Sequence, residues 1–211
     1  MKIGVLGSGD VGKVLGAGFA AAGHEVKLGT RSPEKLKEWL EKAGKNASMG
    51  SFADAAAHGE VIILATLGKA TEDVLKLAGL AYFKGKVVMD ATNPLDFSTG
   101  KPALYVGHTD SLGEQVQRWL PEAKVVKAFN TVGNAHMVNP SFADGAPDLF
   151  ICGNDDSAKA AVTALCKQIG WPTLDVGGIE LSRSLEELCM LWVAYGVKNG
   201  TWNHAFKLLR K

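Results

Sequence analysis

The sequence has little with which to build a cross-linked or metal-bound scaffold. It holds three cysteines in 211 residues, Cys152, Cys166 and Cys189, far apart and outside any Cys-x-x-Cys spacing. A disulfide framework or a zinc knuckle needs closer, even-numbered cysteines. Net charge is nearly absent too, because 23 Lys+Arg against 22 Asp+Glu leave +1. A chain so balanced carries no whole-molecule field for nucleic acid or an anionic membrane. Uncharged apolar runs are short: Leu188–Val197 is about ten residues, half of the ~20 that a membrane span needs. The stretch after Lys2 that ends in Ala20-Ala21-Ala22-Gly23 imitates a signal peptide, but Asp10 and Lys13 interrupt it and glycine recurs through it. The expectation is a cytoplasmic protein with reduced, buried thiols, no nucleic-acid partner and no membrane association.

What is present is an ordinary globular composition, 46% hydrophobic and 21% charged, with an excess of glycine. No internal repeat or low-complexity tract breaks it. Short β-branched runs at Ile3–Leu6, Glu25–Leu28, Val61–Leu64, Lys86–Met89, Lys124–Lys127 and Leu149–Cys152 read as strands. Helical spacing lies between them at Val11–Ala22, Pro33–Ala43, Thr71–Ala78, Ser111–Trp119 and Ser157–Ile169. Near-continuous runs such as Val61-Ile62-Ile63-Leu64 suit strands covered on both faces. The alternation predicts an α/β fold, a Rossmann-type doubly wound parallel sheet. After the short run Thr173–Val176 the pattern changes. Glu180–Val197 reads as one or two helices and Trp202–Arg210 as a short terminal one. The expected organisation is a dinucleotide-binding domain over residues 1–177 with a small helical segment, 178–211, packed on it.

Gly7-Ser8-Gly9-Asp10-Val11-Gly12 matches Gly-x-Gly-x-x-Gly. With 25 glycines in the chain, the bare pattern arises by chance roughly a third of a time. Its context carries the weight: it follows the first strand, opens a helix and precedes a second strand. The first glycine makes a tight turn, the second lets a pyrophosphate approach the backbone, and the third admits close helix–strand packing. The helix start then offers unpaired N–H groups and a positive dipole end to phosphate.

The end of the second strand separates NAD from NADP, since an acidic residue there binds both ribose hydroxyls and repels a 2′-phosphate. The chain has Gly29-Thr30-Arg31-Ser32 at that point and no acid before Glu34. Arg31 can fork onto a phosphate, Thr30 and Ser32 offer hydroxyls, Lys35 follows one turn on, and Pro33 suits a helix start aimed at the same group. The expected cofactor is NADPH/NADP+. Other strand ends supply Ala65-Thr66-Leu67, Asn93-Pro94 and Ala128-Phe129-Asn130. From these, Thr66, Asn93 and Asn130 are candidates for ribose and carboxamide groups, and Leu67 and Phe129 for an apolar wall. No conventional catalytic group stands out. His24 reads as structural, while His108 and His136 are candidates to face the cleft. Of the three tyrosines only Tyr82 is followed four residues on by lysine, Lys86, and that spacing alone does not make a short-chain dehydrogenase. Hydride transfer between stacked rings needs no general acid at that step.

The segments GVLGSGDVGKVLGAGFAAAGHEV, GTRSPEKL, DATNPL, VKAFNTV and CGND resemble the NADP oxidoreductase family that uses the deazaflavin coenzyme factor-420. They are also similar to the NADPH-binding domains of the six-transmembrane metalloreductases. The resemblance spans nearly the whole chain, including Ser182-Arg183-Ser184-Leu185-Glu186. It implies a Rossmann domain, often a homodimer, that moves a hydride reversibly between NADP(H) and a small-molecule acceptor, a deazaflavin above the nicotinamide. By motif it assigns Ser8–Gly12 to the pyrophosphate and Thr30, Arg31, Ser32 and Lys35 to the 2′-phosphate. Thr66, Asn93 and Ala128–Asn130 go to the nicotinamide side, with His136 near the acceptor. Ala65-Thr66-Leu67-Gly68 lacks the proline or aromatic common in the family after that strand, so FMN or FAD is an alternative acceptor. An NADPH-dependent reductase of a small imine or keto substrate is a rival reading, although the C-terminal helices offer no convincing catalytic lysine. A non-catalytic NADPH sensor is another. Leu188, Leu191, Trp192, Tyr195, Trp202 and Phe206 share helical spacing, open to core packing, a dimer interface or a lid over the acceptor.

Overall fold

The computed structural model describes residues 1–211. In chain order the strands are β1 (Lys2–Leu6), β2 (Glu25–Gly29), β3 (Ala47–Gly50), β4 (Val61–Leu64), β5 (Val87–Asp90), β6 (Leu95–Asp96), β7 (Ala103–Leu104), β8 (Lys124–Lys127), β9 (Leu149–Gly153) and β10 (Thr173–Asp175). The helices are α1 (Asp10–Ala21), α2 (Lys37–Ala43), α3 (Phe52–His58), α4 (Thr71–Ala78), α5 (Leu112–Trp119), α6 (Asp156–Gln168) and α7 (Ser182–Asn199). Eight strands form one sheet in the order β10-β9-β8-β5-β4-β1-β2-β3, and β6 and β7 make a separate antiparallel hairpin. This is a Rossmann-like α/β fold. The chain leaves β1 in one direction to β2 and returns on its other side at β4, which opens the crevice where such sheets bind ligands.

Alternation along the strands explains the two layers. Ile3 and Val5 of β1, Val61 and Ile63 of β4, and Val126 of β8 enter one core with Leu15 and Phe19 of α1 and Val162 of α6. Leu6, Ile62, Leu64, Val88 and Val125 enter the other, with Ala55 of α3, Leu75 of α4 and Val116 of α5. Each of the Val, Leu, Ile and Phe side chains among them taken out of water is worth about 1.5–3 kcal/mol. Gly4 is the exception in β1 that makes the second layer fit, because a Cβ there would lie 2.1 Å from the Ala55 carbonyl oxygen.

Three features differ from the sequence reading. The strand β3 and the helix α3 were not expected; both are short and β3 is only half-buried. The signal for α3 was the capping box Ser51–Asp54, in which Ser51 Oγ accepts the Asp54 N–H and Asp54 accepts the Ser51 N–H. β9 pairs antiparallel with β8. Between them lies only a 3₁₀ turn at Asn134–His136, and without a crossover helix the chain returns in the opposite direction. Residues 200–211 form no helix. Gly200, in the left-handed conformation at φ 62°, ends α7, and the tail's backbone bonds elsewhere: the Phe206 carbonyl accepts the Asp148 N–H, and the Leu208 N–H donates to Asp148 Oδ2 at 2.8 Å. No helix is long and apolar enough to cross a membrane.

Candidate active site

A cleft of about 970 Å³ runs along the carboxyl ends of the strands. Gly7, Ser8, Gly9, Asp10 and Val11 line it after β1, Thr30, Arg31, Ser32 and Lys35 after β2, and Ala65, Thr66 and Leu67 after β4. The three motif glycines have separate reasons to be glycine. Gly7 sits at φ +126°, and a Cβ there would lie 2.2 Å from the Ala65 oxygen. At Gly12 it would lie 1.9 Å from the Gly7 oxygen, so Gly12 faces packed backbone and does not line the cleft. At Gly9 it would meet nothing within 4 Å, which leaves the backbone bare toward open space. Gly9 caps α1 with no side-chain bond, so the first-turn N–H groups point out unpaired. Bare backbone and unpaired N–H groups at a helix start form a concave cradle that a pyrophosphate would fit.

Thr30 joins the loop to the end of β2. It is buried, its Oγ1 lies 2.9 Å from Ser8 Oγ, and it accepts the Ser32 N–H at 3.1 Å. Arg31 and Lys35 are exposed beside it, and neither enters an ion pair or a side-chain hydrogen bond. With Asp10 they are the only charged residues of the cleft lining. The opposite end is apolar and aromatic: Leu67, Ala70, Val74, Ala91, Val132, Gly133, Ala135, Trp192 and Trp202, with Asn134 the polar exception. Thr66 lies between, its hydroxyl 2.8 Å from Thr71 Oγ1.

The remaining predicted residues are not in the cleft lining. Phe129 adopts φ +62°, which turns its ring into the core, edge-on to Trp171 at 6.2 Å, so it forms no wall. Ala128 is fully buried and Pro94 is buried. Asn93 and Asn130 spend their amide N–H groups on structure: Asn93 Nδ2 donates to the Asn130 carbonyl at 2.9 Å, and Asn130 Nδ2 donates to Asn93 Oδ1 and to the Leu185 carbonyl, while Asn130 Oδ1 is buried without a partner. They tie two strand-end loops to α7. His136 is not in the lining; its Nε2 lies 3.1 Å from Asn203 Oδ1 and its ring packs on Phe142. His108 is exposed beside Glu187, and His24 is buried with Nε2 2.7 Å from Gln168 Oε1. The three thiols are buried, and burial pushes Cys152 up to about 11 and Cys166 and Cys189 up to about 12.

Sequence reasoning missed a buried charge cluster behind the apolar end. Lys127 Nζ lies 2.9 Å from Asp90 Oδ2 and 3.0 Å from Glu186 Oε1, and donates to the Thr92 carbonyl at 2.8 Å. The Glu186 carboxylate also accepts the N–H groups of Leu112 and Gly113, the start of α5. Burial opposes the Lys127 charge, but Asp90 and Glu186 outweigh it and hold Lys127 above the ordinary lysine value. For Glu186 burial wins over Lys127 and the two amides, and its value rises. Gly113 permits the approach, since a Cβ there would lie 2.3 Å from Ser182 Oγ and 2.9 Å from Lys127 Cε. The cluster thus pins α7, which carries Trp192, to β5, β8 and α5.

Comparison with known proteins identifies the family. The sequence profile of the family "NADP oxidoreductase coenzyme F420-dependent" matches residues 2–94. An F420-dependent NADP reductase of Methanocaldococcus jannaschii is 34% identical over 94% of this chain and 93% of its own. A crystal structure from Arthrobacter sp. FB24, described as a candidate F420-dependent NADP reductase, superposes with a TM-score of 0.94 over 100% of both chains at 42% identity. The metalloreductase STEAP3 of Rattus norvegicus is 30% identical over 89% of this chain, which corresponds to 36% of that longer protein. The glycine cradle, the fold around it and full-length similarity to a named reductase together place this chain in the F420-dependent NADP oxidoreductase family, as an NADP-dependent oxidoreductase.

Proposed function

We propose that the protein transfers a hydride between NADP(H) and the deazaflavin coenzyme F420. One observation carries the reading: the cleft is polar and cationic at one end only, and apolar and aromatic at the other. A dinucleotide with a phosphorylated ribose suits the first end, and two stacked planar rings suit the second.

The first-turn N–H groups of α1 and the bare backbone at Gly9 would hold the pyrophosphate. Arg31, Lys35 and the hydroxyls of Thr30 and Ser32 would hold the 2′-phosphate, with Thr30 also fixing Ser8 in place. Thr66, which lines the cleft between the two ends, would serve the nicotinamide ribose. Leu67, Val132 and the tryptophans would exclude water from the reacting rings, and no residue there has to move a proton during the transfer. The nicotinamide, when bound, supplies a hydride from its C4 to the acceptor ring, and the acceptor takes the balancing proton from water. The names of the M. jannaschii and Arthrobacter relatives support F420 over FMN or FAD as acceptor.

The test is anaerobic NADPH oxidation against F420, FMN, FAD, riboflavin and a ferric chelate, with NADH in parallel. Turnover with F420 and NADPH, and little with the rest, is expected. Turnover with flavins or iron alone would replace the acceptor, and preference for NADH would remove the assignment of Arg31.

A further inference from the structure

The end of the chain passes through the proposed acceptor site. Trp202 lies beyond α7, is about half exposed (48%) and lines the cleft beside the nearly buried Trp192, their ring centroids 5.1 Å apart. Two glycines make room for this pair. A Cβ on Gly196 would lie 2.4 Å from the Trp202 ring, and one on Gly133 would lie 3.2 Å from that of Trp192. The only other exposed large apolar side chain of the cleft is Leu67. Large apolar groups left open to water inside a cleft await an apolar partner.

The segment that presents Trp202 is tied down on both sides. His204 stacks on Trp192 at 4.7 Å and lies 2.9 Å from its carbonyl through Nε2, while the Trp192 indole N–H donates to the His204 carbonyl at 2.9 Å. Further on, Asp148 binds the strap twice, by its own N–H to the Phe206 carbonyl and by Oδ2 to the Leu208 N–H. Asp148 itself is not part of the cleft.

We propose that residues 201–209 form a fixed strap whose Trp202 is the platform for the acceptor ring, with Asp148 as a positioning residue that acts through the strap. The proposal rests on the reading of the apolar end as the acceptor site. It assigns acceptor affinity to a part of the chain that NADP(H) binding does not use.

The test is equilibrium binding of F420, followed by its fluorescence, to the full-length protein saturated with NADP+, with NADP+ affinity measured separately. Trp202→Ala is expected to weaken F420 roughly tenfold or more, the scale of one lost aromatic stacking partner, with NADP+ affinity within about twofold. Trp202→Phe retains a stacking face and should recover most of the loss. Asp148→Ala should weaken F420 several-fold, and Asp148→Asn, which still offers an oxygen to the Leu208 N–H, should bind as the native protein does. Unchanged F420 affinity in Trp202→Ala, or equal losses for F420 and NADP+, overturns the strap. If the native protein binds neither F420 nor FMN, the acceptor reading itself fails and the strap proposal falls with it.

Discussion

At one end of the cleft, the glycine loop and the β2 terminus come from the first few elements of the chain. Backbone does most of the work there: a positive φ at Gly7, a bare approach at Gly9, close packing at Gly12, and a hydroxyl pair, Ser8–Thr30, to hold the two loops together. At the other end, Trp192 and Trp202 arrive from the last elements and are held by a fully buried lysine, two carboxylates and a strap anchored at Asp148. Local chain geometry preorganises the first end. Long-range contacts between β5, β8, α5 and α7 preorganise the second. The two ends should therefore fail separately, and in different ways.

The largest break is Lys127→Ala. It leaves Asp90 and Glu186 facing one another in the core, and removing one partner of a buried ion pair costs about 3–5 kcal/mol. The urea midpoint should fall accordingly. In whatever protein remains folded, acceptor affinity should suffer more than NADP+ affinity. Arg31→Glu breaks the opposite end. On the proposed role it would remove charge-assisted hydrogen bonds to the 2′-phosphate worth roughly 1.5–3 kcal/mol and add repulsion, so NADPH binding should drop about 10- to 100-fold while NADH binding barely changes. Calorimetric titration of both nucleotides separates the outcomes, and an equal loss would mean that Arg31 reads no 2′-phosphate. Thr30→Val keeps the side-chain volume but removes the bonds to Ser8 and Ser32. A loss of about 0.5–1.5 kcal/mol is expected, visible in thermal unfolding and in weaker NADPH binding.

The smallest effect sharpens the comparison through pH. Arg183 clasps Glu114 between α7 and α5, with Nε 2.8 Å from Oε2, and this bond holds the Glu114 carboxyl below its ordinary value. A depressed carboxylate contributes stability above its unfolded pKa, about 4.3, and loses it as pH falls through the lower folded value. Glu114→Gln should therefore be less stable than the native protein at pH 6, by under about 1 kcal/mol for so exposed a partner. The difference should close as the solution is acidified, as chemical unfolding at several pH values would show.

The same contrast explains what could be read from sequence. The glycine spacing, the strand before it and the basic β2 terminus are neighbours in the chain, so their joint geometry follows from local rules. The Val/Ile runs likewise announce strands covered on both faces. Asn93 and Asn130 sit at strand ends as expected, but whether an amide there meets a ligand or another loop depends on where α7 packs. Phe129 has the composition of a cleft wall, and its left-handed backbone turns it inward. Lys127, Asp90 and Glu186 look like three unrelated charges until the fold joins them. Trp202 carries helical spacing with Phe206, yet the strap bonds to Asp148 and Trp192 and forms no helix. Of the apolar tail's open readings, that spacing alone could not have selected one.

The most direct measurement follows the fate of the hydride. The protein is incubated anaerobically with F420 and NADPH deuterated at either face of the nicotinamide C4, and the reduced coenzyme is weighed by mass spectrometry. Direct transfer across the apolar end of the cleft predicts that one labelled isomer, and only one, delivers a single deuterium to the carbon centre of the deazaflavin. Reduced F420 without label from either isomer, or no reduction at all while NADPH still binds, would contradict it.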